Sequence, residues 1–290
     1  MKSISSRATI GACRGRQGGS PHGRTTDHPT FEVDIHDDQV AFFHENGYLA
    51  IDRITTDEEI EWLRGRFDEL FEARRGGAPG AFFDTARPYD AEGDDLFAQA
   101  LFPELAVPAL RETQFVRNGK RIACKLLGES PEDVHHWGHM LSKPARIGES
   151  APWHQDEAYW EPDLDYHAVG NWMPLDDADV DNGCLWFLPG SHRLEVLPHK
   201  HKGDDPAVHI LELVEPIDTS AAVPVPTRAG GASFHHPRTL HHSRPNTTER
   251  DPRAYANEYQ TRPVKRDVPA DRPWISEGRK AFEARTVFQP

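Results

Sequence analysis

The chain has 290 residues and a formal net charge of -14 at pH 7. This acidic balance argues against a nucleic-acid binder, which neutralises phosphates with clustered lysine and arginine side chains. No run approaches the roughly 20 apolar residues of a membrane span, so a membrane protein is not expected. Length is only a soft guide to domain number, and the motifs described below favour a single domain.

Cysteine usage indicates the compartment. The three cysteines, Cys13, Cys124 and Cys184, lie far apart and form no CxxC pair. An odd number of separated thiols predicts neither a disulfide framework nor a zinc ribbon. We therefore expect a cytoplasmic protein. The acidic charge argues against nucleic acid as a partner, so the expected partner is a small molecule. No motif in the sequence indicates an oligomeric state.

The first thirty residues differ in composition from the rest of the chain. They are rich in serine, glycine and arginine, contain no acid before Asp27 and show no apolar period. This composition predicts a disordered tail over residues 1–30. An organellar transit peptide and a start codon assigned too far upstream are the alternative interpretations. A single folded domain is expected over residues 31–290.

The first predicted elements follow in "DDQVAFFHENGYLAIDRI". Its pattern predicts a short helix around residues 40–43, a stop at Gly47 and a strand over residues 48–51.

The next stretch, "TTDEEIEWLRGRFDELFEARRGG", predicts an amphipathic helix. Thr56 and Glu59 have the spacing of a capping box, and a stripe of apolar residues follows on one face. The helix is expected to end at Gly76. Residues 76–101 show no period and predict a long loop that covers a site.

From Trp153 onward the pattern changes to short β segments separated by turns. The segments are "YHAVGNWMPL", "GCLWFLPGSHR", "GGASFHHPRTLHH" and "PRAYANEYQ". Many short strands with turn-rich connections are typical of a sandwich or jelly roll. We therefore expect a mainly β fold with flanking helices (α+β).

Candidate metal ligands lie in "WHQDEAYW". His154 and Asp156 are two positions apart, so in an extended strand both side chains leave one face while Gln155 leaves the other. A set of two histidines and one carboxylate leaves three positions of an octahedral iron open. Since His154 and Asp156 supply one histidine and the carboxylate, the third ligand should be a histidine on a later strand. The later strands offer four histidines, His235, His236, His241 and His242, and spacing alone does not choose among them.

The sequence resembles the phytanoyl-CoA dioxygenase family of Fe(II)- and 2-oxoglutarate-dependent oxygenases. Four blocks match in order: "HQDEAYW", "NWMPLDDADVDNGCLWFLPGSHR", "GGASFHHPRTLHHSRPN" and the strand that contains Arg253. With "FFHENGYLAI" they touch most of residues 38–260. The resemblance implies a double-stranded β-helix (jelly roll, cupin-like) and an enzyme that uses Fe(II), 2-oxoglutarate and O2.

The resemblance also implies a reaction. The expected enzyme hydroxylates an unactivated C–H bond of a small metabolite and releases succinate and CO2. Asp156 favours hydroxylation, because related halogenases lose this carboxylate, although desaturation and other oxidations follow the same chemistry. The alternatives are a zinc- or other metal-dependent hydrolase or isomerase on a jelly roll, and a non-catalytic relative that acts as a binding module.

The resemblance selects His241 as the third ligand. In the family this histidine is followed by a small residue at the second position and by Pro and Asn at the fourth and fifth. His241 fits that frame through Ser243, Pro245 and Asn246, whereas His242 does not. His154, Asp156 and His241 are therefore the expected metal-binding and catalytic residues.

One position departs from the family. An arginine about eleven residues after the late histidine binds the distal carboxylate of 2-oxoglutarate in the family, but Pro252 occupies that position here. We expect the preceding turn to be one residue longer and Arg253 to take the role, since turns absorb insertions more cheaply than strands. The alternative is that His242 is the ligand and the strand register is shifted by one.

The resemblance suggests further cavity residues. Ser243, Trp172 and Met140 match positions beside the cosubstrate, although ordinary core packing also explains Trp172 and Met140. Tyr159 and Trp160 follow the ligand segment and are expected to face the substrate. The sequence gives His235 and His236 a structural role.

Overall fold

The structure is a computed structural model that describes residues 31–78, 80–89 and 91–286. The predicted tail, residues 1–30, lies outside the described residues. The α-helices are α1 (Asp37–Asn46), α2 (Asp57–Glu72), α3 (Pro103–Ala106), α4 (Gln114–Leu127) and α5 (Pro273–Thr286). Short 3-10 helices span Pro108–Glu112, Asp156–Tyr159, Ser191–Arg193 and Lys202–Asp204. Among the described residues, no helix has the length and apolar character needed to cross a membrane.

Fifteen strands are found in the described part of the chain, and most are short. They are β1 (Tyr48–Ile51), β2 (Phe82–Asp84), β3 (Ala98–Leu101), β4 (His135–Ser142), β5 (Ala151–His154), β6 (Leu164–Asp165), β7 (Ala168–Pro174), β8 (Leu185–Phe187), β9 (His199–His201), β10 (Leu211–Leu213), β11 (Val223–Val225), β12 (Ala232–His235), β13 (His241–Ser243), β14 (Arg253–Gln260) and β15 (Val264–Lys265).

Two antiparallel sheets form the body of the fold. The large sheet has the strand order β1-β12-β7-β14-β4-β3-β2, and the small sheet has the order β11-β8-β13-β5. Two further strand pairs, β10-β9 and β15-β6, lie outside these sheets. Both sheets contribute side chains to one cavity. The prediction of a mainly β jelly roll with flanking helices is confirmed.

Strand alternation gives the large sheet two different faces. On β14, Tyr255 is fully buried and its ring lies 5.2 Å from that of Phe115 in α4. Ala254, Ala256 and Glu258 leave the other face and line the cavity. Helices α1, α2 and α4 therefore cover one face of the sheet with the main apolar core, and the opposite face is left for the site.

Several predicted elements are found and others need correction. Strand β1 has the predicted bounds, and Gly47 ends α1 with a left-handed φ of 81°. Helix α2 ends at Glu72, four residues before the predicted stop, because the backbone reverses at Arg74, whose φ is 47°. The predicted loop over residues 76–101 contains β2 and β3. Strand β4 and helix α4 were not predicted, although both contribute to the core.

Glu59 joins two helices through its buried carboxylate. Its backbone N–H donates to the Thr56 hydroxyl at 3.3 Å, which is one half of the predicted capping box. The carboxylate does not return to Thr56; it accepts hydrogen bonds from the backbone N–H groups of Gln114 at 2.7 Å and Phe115 at 2.9 Å. A carboxylate at the start of α4 also interacts favourably with the helix dipole.

We expect Glu59→Ala to destabilise the protein by about 2–3 kcal/mol, because two N–H groups bonded to a charged acceptor lose their partner inside the protein. Glu58→Ala is the matched control, since Glu58 is exposed on the same helix. Its effect should stay within about 0.5 kcal/mol. Urea unfolding of both variants measures the difference, and equal losses of stability would contradict this role of Glu59.

Candidate metal centre and adjoining cavity

Three predicted ligands come together at the end of β5. The strand ends at His154, but Gln155 keeps extended dihedral angles (φ -119°, ψ 132°), so His154 and Asp156 leave the same side. Strand β13 pairs with β5 and places His241 directly opposite His154. The Nε2 atoms of His154 and His241 each lie 3.5 Å from Asp156 Oδ1. The three potential ligand atoms all lie within 4.8 Å of one another.

Backbone carbonyls fix the tautomers of both histidines. His154 Nδ1 donates to the carbonyl of Pro152 at 2.7 Å, and His241 Nδ1 donates to the carbonyl of Thr239 at 2.9 Å. A carbonyl oxygen can only accept, so the proton of each neutral ring lies on Nδ1. Each Nε2 therefore presents its lone pair toward Asp156, as a metal ligand requires.

His235 orients the carboxylate. Its Nε2 donates to Asp156 Oδ2 at 2.7 Å, which leaves Oδ1 directed toward the two histidines. Gly170 makes room for this ring, because a Cβ there would lie 2.7 Å from His235 Nε2. The sequence-based view of His235 as merely structural therefore missed a contact with the ligand set.

The protonation states suit metal binding. Burial lowers the pKa of His241 to about 3, against the opposing effect of the Asp156 charge. Burial alone would raise the pKa of Asp156, but its interaction with His241 and the hydrogen bond from His235 hold it well below the usual value. At neutral pH, His241 is therefore neutral and Asp156 is ionised, as nitrogen and carboxylate ligands must be.

His242 lies on the opposite face of β13. Its ring contacts Trp153, with centroids 4.3 Å apart, and Trp186, with centroids 5.8 Å apart. It is not part of the group of ligand atoms around Asp156. The alternative of a register shifted by one residue, with His242 as the ligand, is therefore not the arrangement of this structure.

A cavity of about 320 Å³ adjoins the three ligands. Four residues that the sequence placed at the site line this cavity: Trp172, Tyr159, Trp160 and Ser243. The Tyr159 hydroxyl accepts a hydrogen bond from the Leu211 backbone N–H at 2.8 Å, which fixes the ring beside His154. The cavity wall is largely apolar and preformed, as in many small-molecule sites.

Met140 does not lie where it was expected. It occupies the face of β4 that packs against the helices, where it is fully buried in the main apolar core. Trp137, His139 and Leu141, on the opposite face of β4, line the cavity. The expectation that Met140 lies beside the cosubstrate is therefore wrong, and the alternative of core packing describes it.

Arg253 is among the residues that line the cavity, but its guanidinium is bonded to two carboxylates. Its Nε and Nη2 atoms donate to the two carboxylate oxygens of Asp176, each at 2.9 Å. Its Nη1 donates to Asp68 of α2 at 2.8 and 3.0 Å. These bonds to carboxylates raise the pKa of Arg253 above its usual value. In this structure, Asp176 and Asp68 therefore hold the guanidinium that was expected to bind the cosubstrate.

A different cation reaches the cavity. Lys143 directly follows β4, is only 6% exposed, and donates through Nζ to the Ser243 hydroxyl at 2.5 Å. Sequence reasoning did not identify it, because its contact with Ser243 joins residues 100 positions apart. The available signal was the alternation of "HHWGHMLSK", which puts Lys143 on the same face as His139.

Comparison with protein families shows to which family the chain belongs. The model of the family described as Phytanoyl-CoA dioxygenase (PhyH) matches residues 43–254. The chain belongs to this family. His154, Asp156 and His241 all lie within the matched range.

Individual relatives agree with this assignment. Phytanoyl-CoA dioxygenase domain-containing protein 1 of Bos taurus is 36% identical over 260 residues, which cover 75% of this chain and 87% of the relative. The Danio rerio protein of the same name is 26% identical over 258 residues, with 76% and 88% covered. EvdO2 from Micromonospora carbonacea var. aurantiaca, solved in complex with 2-oxoglutarate, is 33% identical with a TM-score of 0.73. The similarity covers 85% of this chain and 99% of EvdO2.

The ligand geometry predicts different outcomes for two adjacent histidines. His241→Ala should lower the affinity for a divalent metal by about 100-fold or more, because even outer hydrogen-bond partners of such ligands contribute about 10–100-fold. His242→Ala should leave that affinity within about threefold of wild type. Titration of each metal-free variant with Co(II), followed by its visible spectrum, measures both. Loss of binding only in His242→Ala would refute the assignment of His241.

Proposed function

We propose that this protein is an Fe(II)- and 2-oxoglutarate-dependent oxygenase that hydroxylates a C–H bond of a small molecule, with release of succinate and CO2. The observation that carries the proposal is the convergence of two imidazole nitrogens and one carboxylate oxygen beside a preformed cavity. Membership of the phytanoyl-CoA dioxygenase family and the 2-oxoglutarate complex of EvdO2 support it.

His154, Asp156 and His241 are proposed to hold the iron. Imidazole and carboxylate ligands suit Fe(II), and three protein ligands leave the remaining positions open. When bound, the iron supplies the site at which 2-oxoglutarate and O2 are brought together. His235 has a positioning role, because its hydrogen bond to Asp156 Oδ2 keeps Oδ1 aimed at the metal position.

In this proposal, one part of the cavity wall contacts the cosubstrate and another part contacts the substrate. Ser243 follows His241 by two residues on the same face of β13, where its hydroxyl can contact bound 2-oxoglutarate. Trp172 lies on the facing sheet and packs beside the cosubstrate. Tyr159 and Trp160, just beyond Asp156, face the primary substrate and exclude water from the reacting atoms.

The substrate is proposed to be a small molecule. A cavity of about 320 Å³ is at the small end of ligand sites in proteins, so it accepts a compact group rather than a folded partner. Hydroxylation is the reaction that we infer, because Asp156 occupies a ligand position that a halogenase would leave free for halide. The two free, buried cysteines among the described residues, Cys124 and Cys184, support a location in the cytoplasm.

Anaerobic titration tests the proposal without knowledge of the substrate. Fe(II) and 2-oxoglutarate together should produce the visible charge-transfer band of a chelated 2-oxo acid in wild-type protein. The band should be absent in His154→Ala and retained in His242→Ala, since only His154 belongs to the ligand group. On admission of O2, wild type should form succinate from 2-oxoglutarate.

Two outcomes would overturn the proposal. Retention of Zn(II) with no chelate band at any 2-oxoglutarate concentration would favour the hydrolase or isomerase alternative. Bound Fe(II) with neither a band nor succinate would favour a binding module.

A further inference from the structure

Lys143 is a buried cation without a carboxylate partner in the described part of the chain. Nζ donates to the Ser243 hydroxyl at 2.5 Å and to the Arg244 carbonyl at 3.0 Å, and it lies 4.8 Å from the centre of the Phe97 ring. The nearby carboxylate of Glu149 is paired with Lys202 at 3.0 Å. The ammonium is thus held by neutral groups alone.

This arrangement is unfavourable for the free protein. A charge removed from water and not paired with an opposite charge loses solvation that neutral hydrogen-bond partners only partly replace. Burial accordingly lowers the pKa of Lys143 to about 7. An anion in the cavity beside Nζ would compensate for the lost solvation, so the position is suited to an anionic ligand.

Lys143 lies at a defined place relative to the ligand group. Ser243 and His241 leave the same face of β13, and two residues of a strand span roughly 6.5–7 Å. Nζ is bonded to Ser243, and both side chains line the cavity that reaches His154 and Asp156. A short, extended dicarboxylate can therefore meet the metal position with one end and Lys143 with the other.

The pairing of β4 with β14 explains why Lys143, and not Arg253, shares the face that points to the cavity. The backbone N–H of Lys143 donates to the carbonyl of Pro252, and the β4–β14 register pairs Ser142 with Arg253. Lys143 is thus opposite Pro252, and side chains directly opposite in an antiparallel pair share a face. Arg253 leaves the other face and is bonded to Asp176 and Asp68.

We propose that Lys143, together with Ser243, binds the distal carboxylate of 2-oxoglutarate in this protein. The inference rests on the proposed function. It assigns the contact with the distal carboxylate to Lys143, which directly follows β4, rather than to a residue of β14. The Ser243 hydroxyl, which now accepts from Nζ, can donate its own proton to the same carboxylate.

The test compares two cosubstrates in three variants under anaerobic conditions. Lys143→Met, Lys143→Arg and Arg253→Met are titrated in the presence of Fe(II) with 2-oxoglutarate and with 2-oxopentanoate, which has the same carbon chain but no distal carboxylate. The charge-transfer band reports binding, and circular dichroism verifies that each variant is folded. The comparison of two acids separates a lost ionic contact from a general distortion of the site.

Lys143→Met should raise the half-saturating concentration of 2-oxoglutarate by on the order of 100-fold, the loss expected for a charge-assisted contact. Its affinity for 2-oxopentanoate should change by less than about threefold, so the preference for the dicarboxylate disappears. Lys143→Arg should retain that preference, because a guanidinium also binds carboxylates. Arg253→Met should keep the wild-type preference.

Other outcomes overturn the inference in distinguishable ways. Equal weakening of both acids in Lys143→Met would assign Lys143 a structural role only. Loss of the dicarboxylate preference in Arg253→Met, with Lys143→Met unchanged, would assign the contact to Arg253. A wild-type protein that binds Fe(II) but gives no band with either acid would refute the proposed function itself, and the role of Lys143 with it.

Discussion

The pairing of His241 with His154 across β13 and β5 is the constraint on which the rest of the site depends. It brings together residues far apart in the chain, while Gln155 keeps Asp156 on the same side. Because side chains alternate along a strand, a slip of one residue would turn His241 away and present His242 instead. The contacts of His242 with Trp153 and Trp186 on the opposite face stabilise the observed register.

The same alternation decides which cation can reach the cavity. On β14, Ala254 and Glu258 leave the face that points to the cavity, whereas the guanidinium of Arg253, which also lines the cavity, bonds to Asp68 of α2. A neighbouring strand can supply a side chain to the same face at a directly opposite position, and Lys143 occupies that position beside Pro252.

The sequence predicted what depends on local spacing. His154 and Asp156 are two residues apart, and the segments after Trp153 are separated by regular turn signals. The ligand pair and the series of short strands could therefore both be predicted from the sequence. The contacts of His235 with Asp156 and of Lys143 with Ser243 join positions 79 and 100 residues apart, which no local period reports. The expectation for Arg253 assumed an insertion in the turn, whereas the unbroken β4–β14 register directs its guanidinium to Asp68 of α2.

The turn that carries Asp156 is held from the side away from the cavity. Glu157 is buried and pairs with Arg272 at 2.7 Å and with Arg238 at 3.3 Å. Trp274 donates to the Ala158 carbonyl at 2.8 Å, so the segment leading into α5 clamps the same turn. These contacts hold the backbone of the turn from behind, and His235 orients the Asp156 carboxylate, so the other side chains that line the cavity are not needed to position it. Those side chains can therefore differ without displacing the three candidate ligands.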